Sequence, residues 1–129
     1  MKRILIVDDN FANRQLITDI LVDYAMCDIA LNGQEAVAAY DLSVSSDNPY
    51  DMILLDISMP EMSGIDFLKY LRGKEEEKGV KFGKGTPVIM VTAFKKQIFE
   101  SYNNGCDDFI SKPIDPDVLM EKIKNKIGV

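Results

Sequence analysis

Short hydrophobic runs recur along the chain, and segments with helical periodicity separate them. The runs are RILIV (3–7), MCDIA (26–30), DMILLD (51–56), PVIMV (87–91) and DDFIS (107–111). Such runs are typical of strands buried on both faces of a parallel sheet, and the weaker second run suits an edge strand. The alternation predicts an α/β domain of the (βα)5 type, with helices on both faces because crossovers between parallel strands are right-handed.

Helix signals fill the intervals between these runs. Asn32 with Glu35, Ser63 with Asp66, and Asp115 before proline match helix starts, while Gly105 suits a helix end. The charged, glycine-rich stretch 73–85 is interpreted as a solvated loop, with an extension of the preceding helix as the alternative for its beginning. Residues expected on inward helical stripes are Ala12, Leu16, Ile17, Ile20, Leu21, Tyr24, Ala36, Val37, Tyr40, Val44, Ile65, Leu68, Leu71, Ile98, Phe99, Tyr102, Leu119, Ile123 and Ile127.

Length and composition favour one compact domain, 1–129, without a second module. The 129 residues are 47% hydrophobic and carry a formal net charge of -6, which disfavours nucleic acid or anionic membrane as a partner of a broad basic surface. No apolar stretch reaches about 18 residues, so we expect no membrane helix, and the first strand begins at once, so we expect no signal peptide. The expected location is cytoplasmic, in keeping with reduced cysteines. Cys27 and Cys106 are isolated and are predicted to be buried, reduced thiols.

The chain contains no histidine. Its absence excludes Ser-His-Asp and Cys-His catalytic groups, a metal held by imidazole, and a phosphohistidine on this chain. Whatever this chain does with phosphate, it cannot itself supply the histidine donor.

Polar residues stand at the ends of the hydrophobic runs. Asp8 and Asp9 follow the first run, and Asp56 ends the third. Thr92 follows the fourth run, and Lys112 lies just past the fifth. The carboxyl ends of parallel strands share one edge of the sheet, so these side chains should meet in one pocket. Carboxylates this close raise one another's pKa, or else they need a cation to remain ionised. An oxygen-rich site without histidine selects Mg²⁺, with Mn²⁺ as the alternative.

Helix capping is the simpler interpretation of Asp9 or Asn10 alone, but it leaves the third aspartate, the threonine and the lysine unexplained. A carboxylate nucleophile that forms an aspartyl-phosphate uses all of these groups. Asp56, at the end of the central run, is the predicted nucleophile, and Lys112 is the predicted counter-ion.

Four motifs in this order resemble the receiver domain of two-component response regulators, and the resemblance covers the whole chain. The motifs are Asp8-Asp9-Asn10, DISMPEMSG (56–64), Val91-Thr92-Ala93 and Ser111-Lys112-Pro113. Each motif alone is weak, whereas four at appropriate strand ends are very specific. The resemblance implies a flavodoxin-like, chemotaxis-regulator-like fold with a five-stranded parallel sheet in the order 2-1-3-4-5.

The resemblance also implies the chemistry of the site. Asp56 would be the phosphoacceptor and would take its phosphoryl group from a phosphohistidine on a partner histidine kinase or phosphotransfer domain. Asp9 and Asp56 would bind Mg²⁺ directly, the backbone carbonyl of Ser58 would be a third ligand, and Asp8 would act largely through water. Such a domain catalyses its own phosphorylation and dephosphorylation and is not a turnover enzyme on external substrates.

The remaining implied roles concern switching. Thr92 would supply the switch hydroxyl, Lys112 would contact the phosphate, and the Lys112–Pro113 peptide would be cis. Phe109 matches the switch aromatic, although an ordinary core aromatic is the alternative. The output partner would then bind the face formed by the last two helices and the fifth strand.

Two further hypotheses concern the lifetime of the phosphorylated state and the kind of protein that carries the domain. A bulky Phe94, two residues after Thr92, would narrow the route of the hydrolytic water and lengthen the phosphorylated state, unless it serves as a contact for a partner helix. The opening D-D-N-x-x-N-R and the long polar loop resemble receivers attached to hybrid histidine kinases more than those of DNA-binding regulators, so the domain is either stand-alone or excised.

Three alternatives stay open. A haloacid-dehalogenase-like phosphatase would need a second spaced aspartate where Asn10 stands, together with a cap insertion. A flavodoxin-like cofactor module would need a phosphate-cradling loop in place of Asp8 and Asp9. A receiver that scaffolds without being phosphorylated would have no use for the complete set of polar side chains.

Overall fold

The structure is a computed structural model that describes residues 1–57, 59, 62–93 and 97–129. Within these ranges strands and helices alternate along the chain. The strands are β1 (Lys2–Val7), β2 (Ala25–Ala30), β3 (Met52–Asp56), β4 (Val88–Thr92) and β5 (Asp108–Ser111), and the helices are α1 (Phe11–Leu21), α2 (Gly33–Ser45), α3 (Gly64–Glu77), α4 (Ile98–Asn103) and α5 (Pro116–Ile127).

All four strand pairs are parallel, and the sheet has the order β2-β1-β3-β4-β5. This order confirms the predicted fold class. At the carboxyl edge Asp56 pairs with Val91, and Thr92 pairs with Ser111. The register therefore brings the polar ends of β3, β4 and β5 side by side.

Two hydrophobic clusters cover the two faces of the sheet. Alternate residues of β1 divide between them, since Leu5 and Val7 face the cluster under α2 and α3, while Ile4 and Ile6 face the cluster under α1 and α5. All four side chains are fully buried. Each contributes roughly 1.5–3 kcal/mol by leaving water, so a shift of one residue in register would be costly.

The predicted helix starts are confirmed by their caps. The side chains of Asn32, Ser63 and Asp115 each accept a hydrogen bond from a backbone N–H in the first turn of the helix that follows. These bonds satisfy donors that have no partner within the helix. Gly105 follows α4 with φ +98°, a left-handed conformation that suits glycine.

Several predicted inward positions are wrong. On the stripe of α1 only Ile17 and Leu21 are buried, and Tyr24 lies beyond the end of the helix. Val44 and Phe99 are exposed because other residues, Ser43 and Ser101, face the interior. Residues of these predicted stripes that the structure leaves exposed are Ala12, Leu16, Tyr24, Val44, Phe99 and Tyr102.

The stretch 73–85 is not a loop throughout, since α3 continues to Glu77 and passes through Gly73. A glycine inside a helix costs only about 1 kcal/mol relative to alanine, which burial of the apolar side chains of Leu68 and Leu71 in the same helix outweighs. Cys106 is buried as predicted, and burial together with Asp107 raises the pKa of its thiol to about 11. Cys27 is only half-buried, so the prediction was wrong for that thiol.

None of the helices in the part of the chain that the structure describes is long and apolar enough to cross a membrane.

Candidate functional site

Asp8, Asp9 and Asp56 form one cluster at the carboxyl edge of the sheet. One carboxylate oxygen from each lies within 4.8 Å of the others. Asp8 and Asp56 are 2% and 3% exposed, whereas Asp9 faces solvent. The site is therefore accessible from one side, and two of its three carboxylates are largely withdrawn from water.

Backbone contacts fix the position of Asp8. Its N–H donates to the carbonyl oxygen of Ala30 on the neighbouring strand, over 3.1 Å. Its Oδ1 accepts a hydrogen bond of 2.8 Å from the N–H of Asn10, the N-cap residue of α1. Arg14, one turn into α1, donates to the carbonyl oxygen of Asp8 over 3.1 Å. Arg14 closes the D-D-N-x-x-N-R motif, but the sequence assigned it no contact with the acidic cluster.

Lys112 brings positive charge to this cluster. Its Nζ lies 3.3 Å from Oδ1 of Asp56 and 3.8 Å from Oδ2 of Asp8. The backbone N–H of Lys112 donates to the carbonyl oxygen of Thr92 over 2.9 Å, and the Lys112–Pro113 peptide is cis, as expected. The loop after β5 is thereby held to the end of β4, next to the carboxylates.

The donor set fits a hard divalent cation. Three carboxylates face one ammonium, so negative charge remains in excess. Oδ2 of Asp8 is buried and accepts no hydrogen bond, since the Lys112 ammonium, 3.8 Å away, is too distant to donate one; a bound cation would supply the close partner that a buried oxygen normally has. Oxygen ligands without histidine or thiolate match Mg²⁺ and disfavour zinc or copper.

Thr92 and Phe109, the predicted switch residues, lie on the neighbouring strands β4 and β5. Thr92 ends β4 and is 2% exposed. Phe109 is half-buried on β5, and its ring packs edge-to-face against Tyr102 of α4 with centroids 6.3 Å apart. Nζ of Lys122, on α5, lies 5.6 Å from the centre of the Phe109 ring. Phe109 thus contacts both helices that border the fifth strand.

Two predicted positions, Ser58 as a metal ligand and Phe94 beside the water route, lie outside the described residues. The sequence interpretation also missed Gly64, the first residue of α3. A Cβ on Gly64 would come within 2.1 Å of the carbonyl oxygen of Asp56. Glycine at this point lets α3 start directly against the strand end that carries Asp56.

The sheet order, and the acidic cluster with its lysine at the carboxyl edge, are the features expected of a receiver domain. The response regulator receiver domain family matches residues 4–124, and the chain belongs to that family. Members act in two-component signalling, pair with histidine kinases and phosphotransfer proteins, and are not turnover enzymes on external substrates. Membership decides between the receiver and the phosphatase or flavodoxin-like alternatives.

Relatives of two kinds are similar to the chain. It is 35% identical over 130 residues to the polar-differentiation response regulator DivK of Brucella anthropi, covering 98% of this chain and 97% of that protein. It is 36% identical over 126 residues to hybrid signal transduction histidine kinase L of Dictyostelium discoideum, covering 95% of this chain. The chain spans only 7% of that kinase.

Solved structures show the same fold. The receiver domain of Ssk1 from Saccharomyces cerevisiae, in co-crystals with the histidine phosphotransfer protein Ypd1, matches with a TM-score of 0.83 and 27% identity, covering 98% of this chain and 88% of that one. A CheY-like receiver domain protein from Methanospirillum hungatei matches with a TM-score of 0.80 and 31% identity, covering 98% and 94%.

Proposed function

We propose that Asp56 accepts a phosphoryl group from a phosphohistidine on a partner kinase or phosphotransfer protein. The ion pair between Asp56 and Lys112 inside the three-carboxylate cluster carries this proposal. It places one carboxylate and one ammonium on the same side of the pocket, where an incoming phosphoryl group can meet both.

The transfer requires little covalent chemistry from the protein. A carboxylate oxygen of Asp56 attacks phosphorus, the phosphorus–nitrogen bond of the phosphoimidazole breaks, and the imidazole leaves with that electron pair. Lys112 neutralises oxygens of the transferred group, and positioning of the reactants supplies most of the acceleration. The same pocket would admit the water that later hydrolyses the acyl phosphate.

Asp8, Asp9 and Asp56 would hold Mg²⁺, and Ser58 remains the proposed source of a backbone ligand. When bound, the ion supplies positive charge that offsets the cluster and the phosphoryl oxygens. The buried Oδ2 of Asp8, which lacks a hydrogen bond, supports this assignment. The main role of Asp8 is then to contribute negative charge that favours binding of the cation.

Phosphorylation would be read out through Thr92 and Phe109. A phosphoryl group on Asp56 adds charge and acceptor oxygens at the edge where the Thr92 side chain ends β4. Movement of Thr92 would alter the end of β4, to which Lys112 is hydrogen-bonded. Phe109 would then change its packing against Tyr102 and Lys122, so that an output partner reads α4, β5 and α5.

The test is phosphorylation in Mg²⁺ with acetyl phosphate or a phosphorylated histidine phosphotransfer domain, followed by intact-mass measurement. We expect one phosphoryl adduct that is stable in acid, labile in base and absent in Asp56→Asn. Asp66→Asn, an exposed aspartate on α3, is the matched control and should retain the adduct. Failure of wild type to form an adduct with either donor would instead support a scaffold.

The switch needs a separate readout. In Thr92→Ala the adduct should still form, but the phosphorylation-dependent NMR shifts of Phe109 and Tyr102 should disappear. Ser111→Ala removes the hydroxyl of the residue paired with Thr92 and is the matched control. Normal Phe109 shifts in phosphorylated Thr92→Ala would contradict the switch while leaving the phosphoacceptor assignment intact.

A further inference from the structure

Arg14 contacts the acidic cluster through the backbone rather than through a carboxylate. Its Nη1 donates to the carbonyl oxygen of Asp8 over 3.1 Å, from the first turn of α1. The ammonium of Lys112, by contrast, lies 3.3 Å from a carboxylate oxygen of Asp56 and 3.8 Å from one of Asp8. Lys112 therefore acts on the charges of the cluster, whereas Arg14 acts on the chain that carries them.

The carbonyl group that Arg14 binds belongs to the peptide between Asp8 and Asp9. Because a peptide is planar, a bond that fixes the direction of the Asp8 carbonyl oxygen also fixes the backbone where Asp9 begins. Asp9 is exposed, while Asp8 and Asp56 are buried, so Asp9 is the carboxylate of the cluster whose position depends most on its backbone. A carboxylate that is already in place loses less side-chain freedom when a cation binds.

Phe11 holds the side chain of Arg14. Residues three apart share one face of a helix, and the guanidinium of Arg14 lies 5.6 Å from the centre of the Phe11 ring. A cation within about 6 Å of an aromatic ring face is attracted to it. Phe11 is 69% exposed, so packing in the core does not account for an aromatic side chain at this point.

We propose that Arg14, held by Phe11, is a positioning residue for the cation site. Its bond to Asp8 fixes the Asp8–Asp9 peptide, so that the carboxylate of Asp9 lies ready for a divalent ion. The inference rests on the cation site of the proposed function and deepens it. A simple charge effect has the opposite sign, because loss of a positive charge beside a cation site favours binding of the cation.

The test is titration of the isotope-labelled protein with Mg²⁺, followed by NMR without any phosphodonor. Arg14→Met keeps an unbranched side chain but removes the donor, and it should weaken Mg²⁺ binding about tenfold, as is common when a contact behind a metal ligand is lost. Arg14→Lys keeps a cationic donor and should recover most of that loss. Phe11→Leu removes the ring face and should weaken Mg²⁺ binding severalfold.

A double-mutant cycle tests whether Arg14 acts through Asp9. In Asp9→Asn, the further change Arg14→Met should alter the Mg²⁺ affinity less than about twofold, because the ligand that Arg14 positions is already lost. In Asp23→Asn, which removes an exposed aspartate outside the cluster, the full loss of about tenfold should remain. General destabilisation by Arg14→Met would weaken binding equally in both backgrounds.

Arg3→Met is the matched control. Arg3 also places its guanidinium over an aromatic ring, 4.5 Å from the centre of Tyr50, but it lies near the amino end of β1. Its replacement should leave the Mg²⁺ affinity within about twofold of wild type. Failure of wild type to bind Mg²⁺ would overturn both the cation site and this inference. If wild type binds, an equal or higher affinity in Arg14→Met, or equal losses in the two aspartate backgrounds, would overturn the role of Arg14 alone.

Discussion

Gly64 packs so closely on Asp56 that a Cβ at position 64 would lie 2.1 Å from the Asp56 carbonyl oxygen. Its N–H also donates to the carbonyl oxygen of Ile57 over 3.0 Å. The start of α3 is thus tied to the strand end that presents the proposed phosphoacceptor.

Gly64→Ala should both destabilise the fold and slow phosphorylation, because backbone must move to admit the methyl group. We expect a loss of roughly 1–3 kcal/mol in the free energy of unfolding, measured by urea denaturation. Gly73→Ala is the control, since a Cβ at Gly73 meets nothing within 4 Å and should add up to about 1 kcal/mol by helix propensity. Equal effects of the two variants would refute the packing argument.

Asp9→Asn should raise stability when divalent ions are absent. The substitution removes one of three clustered carboxylates, and each repulsion relieved at this separation is worth on the order of 1 kcal/mol in a watery environment. Mg²⁺ at ten times its dissociation constant should stabilise wild type by about 1.4 kcal/mol and Asp9→Asn by less. Thermal denaturation with and without Mg²⁺ measures both effects, with exposed Asp23→Asn as the control.

Lys112→Gln should slow phosphorylation from acetyl phosphate by on the order of 100-fold, because an aligned charge that neutralises the transferred group is lost. The rate is measured by intact mass over time. Lys126→Gln, which changes an exposed lysine on α5, should leave it unaltered. A Lys112→Gln rate within twofold of wild type would exclude a role for this ammonium.

Arg72→Met should cost about 3 kcal/mol of unfolding free energy, because it leaves the carboxylate of buried Glu75 without its cation. Lys74→Met breaks the exposed pair with Glu77, whose charged atoms are 3.6 Å apart, and should change stability by less than about 1 kcal/mol. Urea denaturation of both variants decides the comparison. Similar losses of unfolding free energy in Arg72→Met and Lys74→Met would mean that the hydrogen bonds and ion pairs of Arg72 add little to stability.

Asp108 should make stability depend on acid pH. Burial raises its pKa, but the hydrogen bonds from Lys122 and from the N–H of Phe109 outweigh burial and hold the pKa below the ordinary value of 3.8. Since the unfolded chain then binds a proton more readily, this contribution is present above about pH 4 and is lost as pH falls through the folded pKa. The free energy of unfolding is measured by urea denaturation at intervals of ~0.5 between about pH 2.5 and about pH 6, a range that includes the ordinary pKa of aspartate. It should fall less with decreasing pH in Asp108→Asn than in Asp23→Asn.

The strands and helix starts were predictable because their signals are local. Each buried run specifies its own strand, and each cap, such as Asn32 or Ser63, lies within one turn of the helix that it starts. The stripe on α1 failed at Tyr24 because the apolar pattern continues beyond Leu21, where the helix ends, whereas Ala12 and Leu16 lie within the helix and are exposed. Periodicity marks a face but does not tell how much of it the sheet covers.

The site was predictable to the extent that strand ends converge. Asp8, Asp56 and Lys112 meet as expected because parallel strands share their carboxyl edge. The network around Arg72 was not predictable, since its partners Gly105 and Asp107 lie 33 and 35 residues away and approach through loops. No short sequence motif predicts a contact between residues so far apart in the chain.

Strand β4 begins beside one surface and ends beside another. Its first residue, Val88, donates to Asp107 within the Arg72 network, and its last residue, Thr92, reaches the acidic pocket. Substitutions in the turn before Val88 would therefore act at the amino end of this strand, at the opposite edge of the sheet from the acidic cluster. Evolution could alter one edge of the sheet without altering the chemistry at the other.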